Sequence, residues 1–261
     1  MFTSADYRAY AKNVLRGKWR IAALTSFIAS LIGATIIGYT SSGLEFSDGE
    51  IETITANFSD AQVQIFTKIL FFILIYSVVR GIASFIIGGA CQIGYAHFNL
   101  NIADGKEAAP SDLFSQFGRL GDGFLMNLLR SIYLIGWSML FVIPGIIKLY
   151  SYSMTPYLMS EFPFLSPNEA ITESRRVMDG KKLDLFLLHL SFLGWGLLAS
   201  IPSAIALSGL IFGNFMLLPL YFVTVVAHAF LNAYMEAAQA AFYRQITWRA
   251  PEEAAADSTE S

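Results

Sequence analysis

Arg16-Gly-Lys-Trp-Arg20 runs straight into Ile21-Ala-Ala-Leu-Thr-Ser-Phe-Ile-Ala-Ser-Leu-Ile-Gly-Ala-Thr-Ile-Ile-Gly-Tyr39, a stretch without a single charge. As a helix rising about 1.5 Å per residue, residues 21–39 match the roughly 30 Å hydrocarbon core of a bilayer. Arg8, Lys12, Arg16, Lys18 and Arg20 precede the stretch. Residues 40–64, which follow it, carry Glu45, Asp48, Glu50, Glu52 and Asp60 and neither Lys nor Arg. Lys and Arg near a span end stay in the cytoplasm, so the N-terminus is expected inside and the acidic connector outside.

Composition agrees with that reading. Charged residues make up 14% of the chain and apolar ones 55%, whereas soluble domains carry about 25% charged residues. A water-facing surface would lack the charges it needs. The net charge of −3 comes without a basic stripe, which argues against a nucleic-acid partner. The single cysteine, Cys91, excludes an intrachain disulfide and a CxxC motif. The first apolar run is longer than the core of a cleaved signal peptide, so it is expected to be a retained span.

Further along, residues 82–100, 124–143, 146–159, 183–201 and 210–230 read as spans, which predicts an all-α, polytopic helical bundle. The apolar run from Ile69 to Leu100 is too long for one upright crossing and too short for two. Taking 82–100 as the crossing leaves Arg80 at the outer interface. Residues 101–123 are polar and expected on the inner side. Pro144-Gly145 is expected to break the helix in a shallow outer turn. Residues 146–159 hold Lys148, Tyr150, Tyr152 and Pro156, so they read as a polar fourth span, a re-entrant segment or the tail of a kinked third span. Residues 249–261 are small, acidic and expected to be disordered.

Two stretches share one pattern. Thr3-Ser-Ala-Asp6 leads to Val14-Leu-Arg-Gly-Lys18, and Ser166-Pro-Asn-Glu169 leads to Val177-Met-Asp-Gly-Lys181. Each starts with a hydroxyl N-cap and a carboxylate three residues on, a capping box. Each stops at a glycine suited to the position after a helix end. Residues 3–18 and 166–180 therefore read as two amphipathic helices on the cytoplasmic interface, each feeding a span. Parallel repeats require an even number of spans between them, which favours six crossings over the alternative of five.

The stretch Trp137-Ser-Met-Leu-Phe-Val-Ile-Pro-Gly-Ile-Ile-Lys-Leu-Tyr-Ser-Tyr-Ser-Met-Thr-Pro-Tyr157 is specific. Together with Glu169-Ala-Ile, Ser174-Arg175, Met178-Asp-Gly-Lys181, Leu190-Ser-Phe-Leu-Gly-Trp195, Leu15-Arg-Gly-Lys-Trp19 and Ala241-Phe-Tyr243, it resembles domain-of-unknown-function family 975. That family is widespread in Gram-positive bacteria, and the resemblance implies a multi-pass plasma-membrane protein without an assigned activity. It is also distantly similar to the membrane domain attached to some glycerophosphodiester phosphodiesterases, which implies a lipid context by analogy.

Three sets of residues are candidates for function. Arg8, Lys12, Arg16 and Lys18, with Arg175, Arg176, Lys181 and Lys182, suit anionic headgroups at the inner leaflet. Pro144, Gly145, Lys148, Tyr150 and Tyr152 form a candidate broken-helix site, because a discontinuous helix exposes backbone groups to ligands. Thr224, His228, Asn232 and Glu236 recur every four residues and share a helix face, with Gln239 close by. Such a stripe suits a proton or ion path, and equally suits hydrogen bonding between helices. Arg80, Arg130 and Lys148 fall near expected interfaces, within snorkelling reach of water.

HExxH, GxSxG and GxxxxGK[ST] are absent, so no catalytic residue, metal or cofactor is expected. Three functions stay open. The first is a non-enzymatic protein that binds lipid or a membrane partner, including a second copy of itself. The others are a small transporter and a membrane-embedded lipid enzyme.

Overall fold

The computed structural model describes residues 3–34, 59–211 and 214–257. The outer end of the first expected span and the connector through residue 58 lie outside them. Among the described residues the fold is helical and has no strand. In chain order the helices are α1 (Ser4–Val14), α2 (Trp19–Ile32), α3 (Asp60–Ala103), α4 (Leu120–Leu140), α5 (Val142–Ser151), α6 (Thr155–Glu161), α7 (Pro167–Val177), α8 (Lys182–Ile211) and α9 (Leu220–Asp257). Short 3-10 turns cover Pro110–Phe114, Phe117–Arg119 and Phe215–Leu217.

Among the described residues, three helical stretches are long and apolar enough to cross a membrane: Val63–Ala103, Pro110–Leu140 and Lys182–Gly209. The apolar helix α2 is shorter, and α9 is long but interrupted by His228, Asn232 and Glu236. The expected crossing 82–100 lies within α3, whose 44 residues extend about 66 Å. Its first half is apolar and exposed, with Phe71, Phe72 and Val79 bare. From Gly88 the helix enters the protein core.

That core is built on small side chains. Ala233, Ala237, Ala238, Ala240 and Ala241 of α9 are buried alongside Ala90, Cys91 and Ala96 of α3, and small residues let helix backbones approach closely. At the crossing of α3 and α4, a Cβ on Gly89 would stand 2.0 Å from the Gly123 carbonyl oxygen. Only glycine permits that contact.

Helices α1 and α7 each begin with a capping box. Asp6 accepts hydrogen bonds from the Thr3 backbone N–H at 2.7 Å and its hydroxyl at 2.8 Å. Glu169 accepts the equivalent pair from Ser166, at 2.9 and 2.8 Å. These bonds, the backbone ones first, hold both carboxyls below the usual carboxylate range. Gly17 (φ 82°) and Gly180 (φ 69°) both take the left-handed conformation after the helix. The boundaries repeat in register: Thr3, Val14, Gly17 and Trp19 in the first copy become Ser166, Val177, Gly180 and Lys182 in the second, each 163 positions on.

The apolar faces of both helices, however, pack on protein rather than on an expected lipid surface. Tyr7, Ala11 and Leu15 are buried. The Tyr7 ring meets Phe242 edge-on at 5.3 Å, and the Tyr234 hydroxyl donates to the Arg8 carbonyl at 3.0 Å. In α7, Ala170, Ile171 and Ser174 are buried, and the Ser174 hydroxyl donates to the Ser151 carbonyl at 2.8 Å.

Four expected boundaries differ from the structure. The break after α4 falls at Phe141, which is extended (φ −159°, ψ 150°), three residues before Pro144. A proline ring clashes with the carbonyl four residues back, here that of Leu140, while Pro144 itself sits without cost in the first turn of α5. Residues 146–159 are not one helix: α5 and α6 divide them around a turn at 152–154. Pro202 does not stop α8; that helix runs on to Ile211, and the 3-10 turn Phe215–Leu217 falls within the expected span 210–230. Last, α9 continues to Asp257, so the expected disordered tail is helical as far as residue 257, in keeping with the Glu- and Ala-rich sequence.

Residues 142–161 double back along α4. Gly145 lies against Ser138, Tyr152 against Tyr133 with ring centroids 6.2 Å apart, and the Arg119 guanidinium donates to the Met159 carbonyl at 3.0 Å. Residues 146–159 thus run back beside α4 and do not prolong it.

Candidate functional site

The α4–α5 hairpin brings Lys148 to α7 and the start of α8. There an open surface cleft of about 500 Å³ is lined by Lys148 and Ser151 of α5, Thr172, Arg175 and Arg176 of α7, then Asp179 and Lys182. Two residue sets read separately in the sequence thus share one pocket. Lys148 comes from the broken-helix set, and Arg175, Arg176 and Lys182 come from the headgroup set.

Local geometry explains each position. Residues 137 and 148 stand opposite across the Phe141 turn, and the Lys148 ammonium lies over the Trp137 ring, 4.5 Å from its centroid. That is cation–π distance, and it holds the lysine head at the pocket. Arg176 is paired with Glu173, the shortest contact being 2.5 Å, and Lys182 with Asp179 at 3.2 Å. Lys148 and Arg175 make no salt bridge to a carboxylate among the described residues. The Ser151 hydroxyl donates to the Ile147 carbonyl at 2.9 Å and Thr172 to the Asn168 carbonyl at 3.0 Å. Both hydroxyl protons are spent inside their own helices, so a ligand here would meet cations.

The remaining expected residues lie elsewhere. Pro144 and buried Gly145 form the start of α5, Tyr150 packs on Phe186 and His189, and Tyr152 is buried. Lys181 sits in the turn before α8. Lys12 on α1 and Arg16 in the turn after it are exposed, the Arg8 guanidinium donates to the Ser191 carbonyl at 3.4 Å, and the Lys18 ammonium donates to the Lys106 carbonyl at 2.6 Å. None of these four residues lines the pocket.

The polar stripe of α9 turns mostly inward. Thr224, Asn232, Glu236 and Gln239 are buried, while His228 is half-buried with Nδ1 2.9 Å from the Thr224 carbonyl. Tyr157 donates to Glu236 at 3.4 Å, and His189 Nε2 lies 3.1 Å from Gln239 Oε1. Among the described residues, the buried Gln92 Oε1 and Asn232 Oδ1 have no hydrogen-bond partner. Glu236, His228 and Tyr152 do not line the pocket that holds Lys148. The two candidate regions are separate.

Outside the expectations lies an ion network on the polar flank of the bundle. Arg244 of α9 binds Asp104 through two hydrogen bonds of 2.7 and 2.8 Å and also pairs with Glu161, which accepts from the Tyr243 hydroxyl at 2.6 Å. It joins the ends of α3 and α6 to α9. Sequence reading missed it because its members lie 57 and 83 residues apart; the signal was two acids at helix ends and an arginine within a long helix, in a charge-poor chain.

Residues 139–250 match DUF975, a family of proteins of unknown function. The matched segment begins at the end of α4 and includes both halves of the pocket. It leaves α1 to α3 outside, among them the resembling stretch Leu15–Trp19. No curated protein and no solved structure matches the chain, and the expected likeness to phosphodiesterase membrane domains is not shown. The DUF975 match carries no activity to the site.

Proposed function

We propose that this is a multi-pass membrane protein with both ends in the cytoplasm, which binds anionic phosphate-bearing headgroups at the inner leaflet and has no catalytic role. The basic pocket carries this reading: cations from α5, α7 and α8 converge on one cleft that offers a ligand no other strong donor. Charge asymmetry supports the orientation, since the basic flanks precede α2 and α8 and the acidic connector follows α2. The matching registers of α1–α2 and α7–α8 support an internal repeat whose two copies face the same side. The return of residues 142–161 along α4 supports an even number of crossings, six if the hairpin spans the bilayer.

The test is thermal unfolding of the full chain in nanodiscs of zwitterionic lipid with and without about a quarter phosphatidylglycerol. Anionic lipid should raise Tm in the parent, and less in Lys148→Gln and Arg175→Gln. An equal rise in the variants would remove the pocket from the account.

A transporter is the second reading. It is favoured by the buried oxygens of Gln92 and Asn232, which find no partner among the described residues, since buried polar groups normally find partners. It requires ion-dependent solute uptake that Glu236→Gln abolishes.

A further inference from the structure

We infer that the basic pocket is matched to a dianionic phosphomonoester, not to the monoanionic phosphodiester of most phospholipids. The inference rests on the headgroup reading above and concerns its selectivity.

Charge balance supplies the argument. Four cationic side chains line the cleft: Lys148, Arg175, Arg176 and Lys182. Two carboxylates oppose them, Asp179 in the lining at 3.2 Å from Lys182 and Glu173 against Arg176. Two positive charges remain, on Lys148 and Arg175, the pair without carboxylate partners among the described residues. A phosphomonoester carries about −1.5 to −2 at neutral pH. Between two cations its second proton is lost more readily, which completes the −2. A phosphodiester carries one negative charge and would leave one cation uncompensated.

The donors fit the same ligand. Arginine presents a planar fork suited to two phosphate oxygens, and lysine a point charge suited to a third. The Lys148 head is already placed by Trp137 at 4.5 Å, so little ordering is needed on binding. With the Ser151 and Thr172 hydroxyls donating to backbone carbonyls, charge rather than neutral hydrogen bonding decides between ligands. The phosphomonoester could belong to a lipid such as phosphatidic acid or to a soluble phosphate.

The experiment titrates the purified full chain in uncharged detergent with three probes. These are dioctanoyl phosphatidic acid, dioctanoyl phosphatidylmethanol (the same lipid with one phosphate oxygen methylated) and inorganic phosphate. Phosphatidic acid is expected to bind about tenfold or more tighter than its methyl ester, the scale of one charge-assisted contact. Lys148→Gln and Arg175→Gln should each erase most of that preference. Lys106→Gln, at an exposed lysine outside the pocket that pairs with Asp104, should leave it intact. Competition by inorganic phosphate at similar concentration would assign a soluble ligand and keep the dianion.

Equal binding of the two lipids, weakened alike by the pocket variants, would overturn the dianion while leaving headgroup binding in place. Binding of either lipid that ignores both pocket variants would overturn both readings.

Discussion

Replacing Arg244 by alanine removes the cation that ties the ends of α3 and α6 to the body of α9. The guanidinium makes hydrogen bonds of 2.7 and 2.8 Å to Asp104 and pairs with Glu161, and its side chain is 27% exposed. Charge-assisted hydrogen bonds contribute about 1.5–3 kcal/mol each when protected. Here the partners remain a fifth to a third exposed, so screening trims the total and freed carboxylates can rehydrate. The net loss should be roughly 2–3 kcal/mol, or about 6 °C in Tm for a chain of this size.

Arg176→Ala provides the control. That guanidinium makes as many hydrogen bonds, all to Glu173, but its side chain is 74% exposed and both partners lie on one helix. Such pairs contribute about 0.3–0.5 kcal/mol, so Tm should move by about 1 °C. Thermal unfolding in detergent micelles separates the two. Equal shifts, or an Arg244→Ala shift near 1 °C, would refute the claim that burial and bridging, not bond count, decide the contribution.

Gly89→Ala should cost about 1–3 kcal/mol by overpacking, because the new methyl would meet the Gly123 carbonyl oxygen at 2.0 Å. Gly194→Ala in α8 meets nothing within 4 Å and should be neutral or slightly stabilising; the same unfolding assay checks both. The capping boxes predict a pH dependence. Because the Asp6 and Glu169 carboxyls are lowered in the folded state, their contribution is complete above the ordinary value near 4 and fades as pH falls through the folded one. Amide hydrogen exchange in α1 and α7 should therefore lose protection in acid, and the loss should vanish in Asp6→Asn and Glu169→Gln. Unchanged acid sensitivity in those variants would count against the boxes.

Local signals were the legible ones. A hydroxyl, a carboxylate three residues on and a glycine after three turns interact within one helix, so Thr3, Asp6 and Gly17 could be read without knowing the fold. Helical class was equally plain, since a charge-poor chain with long apolar runs has few other solutions. The pocket was not legible as a unit. Lys148 and Arg175 meet only because the chain reverses at Phe141, and that reversal was expected three residues later. Pro144 signalled a break, but the strain of a proline is felt by the preceding turn, so the residue that opens is upstream of the one that causes it. Nor does amphipathic periodicity say what covers the apolar face. Tyr7, Ala11 and Leu15 have the pattern of a bilayer-bound helix, yet they pack on α9 because its alanine-rich surface lets another helix approach.

Whether the pocket faces the cytoplasm is best measured at Thr172, an exposed pocket position, as Thr172→Cys in a Cys91→Ser background. An impermeant thiol reagent should leave position 172 untouched in intact cells and modify it once the membrane is opened, while Ser47→Cys in the acidic connector reacts from outside. Modification of position 172 in intact cells would contradict the orientation and, with it, the inner-leaflet site.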